Sequence, residues 1–204
     1  MRTRRSLSAL FSALLIAGLG LGGCDLLEEG IDIPITFTQS FDVPVDLGQA
    51  TGAAAGQQAP QDATYPLGLG AVPIDLVSSN AQIAANRSKI QAIEFTSVSV
   101  TPKNNTLTGP TPVIDLYVGP AGATQPSQGI KIATLPSVAA GSTATTQAVI
   151  DTQAQALAQN YLTSLDFTLL PVATLSVTKG QTVPGGAATL TIQLGVKATL
   201  NPVK

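Results

Sequence analysis

The 204-residue chain has no histidine, no tryptophan and one cysteine, and only 11% of its residues are charged. Without histidine, the commonest general base and the commonest transition-metal ligand are both missing, and a Ser-His-Asp triad is impossible. A lone cysteine forms no internal disulfide, and zinc sites built on paired cysteines and Cys-His catalysis are excluded. Aromatic residues are 4% of the chain, which argues against a carbohydrate-stacking platform. Lys and Arg number 10 against 12 acids and form no cluster, so no nucleic-acid partner is expected. No Gly-x-Ser-x-Gly occurs, and Gly68-Leu69-Gly70 lacks the helix that follows a phosphate loop. These gaps predict a protein that is not an enzyme and holds no cofactor or metal.

The acids are scattered along the chain, at Asp32, Asp42, Asp46, Asp62, Asp75, Glu94, Asp115, Asp151 and Asp166. Most alternate along strands or flank turns, where a solvated carboxylate is the ordinary state. Asp42 and Asp46 fall on one face of a strand, and either would suit a weak calcium site. No Asp-x-Asp-x-Asp-Gly loop accompanies them, and no spacing pairs two carboxyls for glycoside hydrolysis.

The N-terminus is more informative. Arg2, Arg4 and Arg5 precede an uncharged run from Leu7 to Gly23 that includes Gly18, Gly20, Gly22 and Gly23. A basic start, a short apolar stretch and small residues at its end form a secretory signal peptide. The run falls short of the ~20 apolar residues a spanning helix needs. It stops at Leu21-Gly22-Gly23-Cys24, which holds the only cysteine of the chain.

That tetrapeptide resembles the lipobox of bacterial lipoproteins. The resemblance covers the leader alone. It implies cleavage before Cys24, diacylglycerol on its sulfur and acylation of the new amino terminus. Two or three acyl chains, at roughly 0.8 kcal/mol per buried methylene, anchor far more firmly than one. Asp25 resembles an inner-membrane retention signal of some Gram-negative lipoproteins; a solvated acid on a stem is the equal alternative, and the leaflet stays open.

The expected organisation is a cleaved leader at 1–23, a lipidated tether at 24–30 and one domain at 31–204. Period-2 alternation through Ile31, Ile33, Ile35 and Phe37, and again through Phe41, Val43, Val45 and Leu47, predicts strands. Pro34 and Pro44 place them at a sheet edge or beside a bulge. Residues 48–64 read as a loop. A strand over 67–76, broken near Pro73, leads to a short helix over 80–86, for which a polar loop is the equal alternative. The strand over 90–101 changes phase between Phe95 and Val98, which predicts a bulge near Thr96-Ser97. Further strands are expected at 113–118, 129–135, 141–150, 165–170, 173–177 and 189–200. A helix over 152–164, capped by Asp151, would pack through Leu157, Tyr161 and Leu162. Ile74-Asp75 and Ile150-Asp151 each precede a short helix and then a strand. The pattern predicts an all-β fold, an antiparallel β-sandwich with one or two short helices.

The leading functional expectation is a non-enzymatic envelope lipoprotein, extracytoplasmic and held at a membrane by lipid on Cys24. Its role would be structural or the binding of an envelope protein partner. A surface adhesin is a variant that the sequence does not separate from it. The alternative is a periplasmic carrier of lipid or another apolar ligand, which requires Leu169, Leu175 and Leu194 to line a hollow rather than fill a core.

Overall fold

A computed structural model describes residues 32–201. The strands are β1 (Ile33–Asp46), β2 (Ala63–Leu67), β3 (Val72–Asp75), β4 (Ile90–Lys103), β5 (Ile114–Pro120), β6 (Ile130–Leu135), β7 (Thr146–Gln147), β8 (Val149–Ile150), β9 (Asp166–Val177) and β10 (Ala187–Leu200). Five short helices join them: α1 (Leu47–Thr51), α2 (Leu76–Ser79), α3 (Ala81–Ala85), α4 (Thr152–Leu157) and α5 (Gln159–Leu162). The first sheet runs β1-β10-β4-β7 and the second β2-β9-β5-β6-β8, with β3 also on β9. Every strand pairing is antiparallel. The fold is the all-β sandwich that the alternation predicts.

The alternation decides which faces meet. On β10, Leu190, Ile192, Leu194, Val196 and Ala198 are buried, and the residues between them are not. One hydrophobic cluster takes in both sheets, including Val100 and Leu194 from the first and Leu116, Leu169 and Leu175 from the second. Phe95 of β4 meets Phe167 of β9 edge to face at 6.1 Å, a contact worth about 0.5–1.5 kcal/mol beyond its buried area. Among the described residues no helix is long and apolar enough to cross a membrane.

The expected bulge is present. Gly195 of β10 pairs with Ser97 and Val196 with Phe95, which leaves Thr96 as the extra residue. The phase of β4 therefore changes while the strand continues. Opposite the bulge glycine leaves room, because a Cβ on Gly195 would push against the hydroxyls of Ser97 and Thr96 and force them to turn.

Elsewhere the tertiary structure departs from the local pattern. The two alternating stretches at the start form one unbroken strand, β1, at the edge of its sheet. Residues 48–64, expected as a loop, begin with α1, because the Asp46 carboxylate accepts the Gln49 N–H at 2.7 Å. This segment is tied to the turn before β10: Leu47 and Gly48 donate to the Gly186 carbonyl, and Val183 donates to Gln57. Gly186, at φ 80°, lies so close to the Thr106 carbonyl that no side chain is accommodated.

The expected strand over 141–150 is reduced to two pairs of residues in different sheets. β7 joins β4 and β8 joins β6, so the chain crosses the sandwich at Ala148. The expected strands 165–170 and 173–177 are one strand, β9. Pro171 is tolerated there because β9 changes partner on that edge, from β3 through Leu169 to β2 from Ala173.

The repeated Ile-Asp pairs have a common meaning. Asp75 ends β3 and caps α2 by accepting from Val77 and Ser78; Asp151 follows β8 and caps α4 by accepting from Ala154 at 2.9 Å. Each initiates two short helices and then a long strand. An acid held at a helix start satisfies N–H groups that lack a partner within the helix.

Candidate functional site

Cys24, the predicted leader 1–23 and the tether 24–30 lie outside the described residues. The acids are inside, and the structure disperses them. Asp42 accepts the Thr191 hydroxyl at 2.6 Å and faces Lys103 at 3.8 Å, whereas Asp46 caps α1. The two share the outer face of β1 but have separate work, and no further carboxylate joins them. Glu94 pairs with Lys197 at 3.3 Å, and Asp115 with Lys131 at 3.2 Å. Asp62 accepts the Lys179 N–H. At Asp75 the Ser78 hydroxyl and then the Ser78 N–H hold the carboxyl pKa below its ordinary value of 3.8, helped by Val77 N–H and the charge of Arg87. Among the described residues, no three metal-ligating side chains gather.

Among the described residues, two of the surface grooves exceed 600 Å³. One, of about 650 Å³, lies where the loops at 56, 108–110 and 181–184 meet the end of β9, and Pro110, Leu175, Gln181 and Pro184 help to line it. The other, of about 620 Å³, runs between α4 and β4 and is lined by Glu94, Phe95, Gln155 and Gln159. Of the three leucines relevant to a carrier, Leu169 and Leu194 are packed in the core, and Leu175 is buried at the wall of the first groove.

The second groove exposes how the outer edge of β4 is closed. Gln155 accepts the Phe95 N–H at 2.7 Å and donates to the Phe95 carbonyl at 3.1 Å. Gln159, one turn later, does the same at Ile93, at 3.3 Å and 2.8 Å. Residues four apart share one helix face, and Ile93 and Phe95 direct their backbone groups to one side of the strand. Two primary amides thus take the place of a neighbouring strand. Beyond the bulge, Ala148 donates to the Val98 carbonyl, and β7 pairs with Ser99 and Val100. The buried face of α4 and α5 is accordingly Gln155, Ala158 and Leu162, and Leu157 is 72% exposed. Of the expected stripe, Leu162 is buried and Tyr161 packs against the core, and Leu157 alone is corrected, because amide pairing with β4 outweighs the burial of one leucine. Glutamines four apart between alanines are the signal that marks this face.

The opposite edge of the same sheet is different. β1 pairs with β10 along its whole length without a register shift, and among the described residues no strand lies on its other side. Its inward residues pass from buried Val45 and Val43 to half-buried Phe41, Phe37 and Ile35, and Ile33 is exposed.

No family model matches this chain, and no curated protein matches it. Solved structures that match include one titled turnip yellow mosaic virus, 13% identical over 96% of this chain and 90% of that chain, with a TM-score of 0.29. Another, titled Desmodium yellow mottle tymovirus, is 16% identical over 95% of this chain and 97% of that one, with a TM-score of 0.28. Likeness at this level carries no functional argument.

Proposed function

We propose that this chain is an envelope lipoprotein, exported and held at a membrane by lipid on Cys24, with a structural or partner-binding role rather than a catalytic one. The observation that carries the reading is the position of the only cysteine, directly after Leu21-Gly22-Gly23 and a short stem ahead of β1. A sandwich that begins at Ile33 would stand close to its anchor. The carboxylates support the same role, because they cap helices or pair on the surface instead of converging on a groove. The packed positions of Leu169 and Leu194 favour binding at the surface over carriage inside.

Metabolic labelling with palmitate tests the anchor. Wild type is expected to incorporate label and to fractionate with membranes, and Cys24→Ser is expected to lose both. Equal labelling of the two would overturn the reading.

A further inference from the structure

We propose that β1 is the contact surface for a second copy of this chain, paired antiparallel edge to edge about Gln39. The proposal stands on the geometry of β1 and does not depend on lipid attachment.

Three observations carry it. First, β1 is long, continuous and without a strand on its outer side among the described residues. Such an edge offers unpaired N–H and C=O groups to another strand.

Second, the prolines define a window. Proline has no N–H, so within an unbroken ladder Pro34 and Pro44 occupy pairs that are not hydrogen-bonded to β10. Both are even-numbered. Every even residue of β1 therefore directs its backbone groups to the open edge, which makes Thr36, Thr38, Ser40 and Asp42 the available donors. Pro34 and Pro44 close the window at its two ends.

Third, the window reads nearly the same in both directions. About Gln39, Thr38 mirrors Ser40, Phe37 mirrors Phe41, Thr36 stands opposite Asp42, Ile35 mirrors Val43, Pro34 mirrors Pro44 and Ile33 mirrors Val45. A strand that pairs antiparallel with its own copy brings each residue against its mirror. Thr38 of one copy then faces Ser40 of the other, and each pair of donors between the prolines exchanges two N–H···O=C bonds. Phe37 meets Phe41 on the inner side, an aromatic cross-strand pair, and this covers rings that a single chain leaves half-buried. Asp42 meets Thr36, so no two acids oppose each other. A foreign strand would use the same backbone groups but would have no need of this symmetry.

Gln39 is the centre of the two-fold pairing, in a pair whose Cα atoms lie roughly 4.5 Å apart. In the full chain, Gln39→Cys is therefore expected to give a disulfide-linked dimer on mild oxidation. Ser40→Cys is the register control, because its two copies stand beyond the ~7 Å that a disulfide bridges. Wild type controls for any free thiol at Cys24. Adding Thr38→Pro to Gln39→Cys should remove the dimer band, with circular dichroism reporting that the sandwich is intact. The cross-link alone decides the question if the proline variant does not fold. A Gln39→Cys dimer no stronger than that of wild type, or one matched by Ser40→Cys, overturns the proposal. Neither result alters palmitate labelling, so the two proposals fail separately.

Discussion

The two edges of the first sheet present the same backbone chemistry and treat it in opposite ways. Along β4, the groups of Ile93 and Phe95 are taken by Gln159 and Gln155, and those of Val98 to Val100 by the segment around β7. Along β1, two prolines limit the edge, and among the described residues no strand covers the stretch between them. An unpaired sheet edge is a liability unless covered or interrupted. A sheet capped by two amides and a short strand along β4, and left with a bounded window along β1, separates a finished surface from one available for contact.

Substitutions at the closed edge should cost most. Gln155→Ala leaves the N–H and C=O of buried Phe95 without partners, and urea denaturation is expected to show a loss of about 2–4 kcal/mol. Gln155→Glu sharpens the point, because a carboxylate accepts from Phe95 N–H but repels its carbonyl; retention of full stability would break the account of the amide pairing. Gly195→Val comes next. It sits between the β4 bulge and Thr38 of β1, but its Cβ meets only Ser97 and Thr96. The expected cost is about 1–3 kcal/mol, with hydrogen exchange accelerating on β4 rather than β1. Asp151→Ala removes the cap of the helix that carries Gln155, for about 1 kcal/mol, read as a shift in the thermal midpoint. Thr38→Pro should be smallest, below the ~1 kcal/mol of the lost cap, because its N–H points away from β10 and an edge strand tolerates proline there. A large loss there would show that the parity assigned to β1 is wrong.

The same contrast shows what was legible in the residue order. Features set by local spacing read correctly: the alternation of β10, the phase change that marks the Thr96 bulge, the edge placement of the strand with Pro34 and Pro44, and the cap at Asp151. Features set by a distant partner did not. Leu157 looked like a packing residue because apolar spacing says nothing of amides that bond a strand more than fifty residues earlier in the chain. The stretches 165–170 and 173–177 looked like two strands because a switch of neighbours from β3 to β2 is invisible along the chain. Residues 141–150 looked like one strand because their threonines suit either sheet. The acids gave the right answer in a general way, as solvent-facing groups, while their specific work as caps at Asp46 and Asp75 appeared only with the helices they start.

The register of β1 against β10 has a mechanical consequence. Ile33 lies opposite Leu200, and Asp46 lies opposite Ala187 beside the hydrogen-bonded loops at 47–59 and 180–186. Tension between the N-terminal end of β1 and those loops runs along β1 and loads all of its bonds to β10 together, in shear. Tension applied between Ile33 and Leu200, which pair at one end of the ladder, would instead open it one pair at a time. A pull on those loops against the start of β1 thus meets the whole length of the ladder at once.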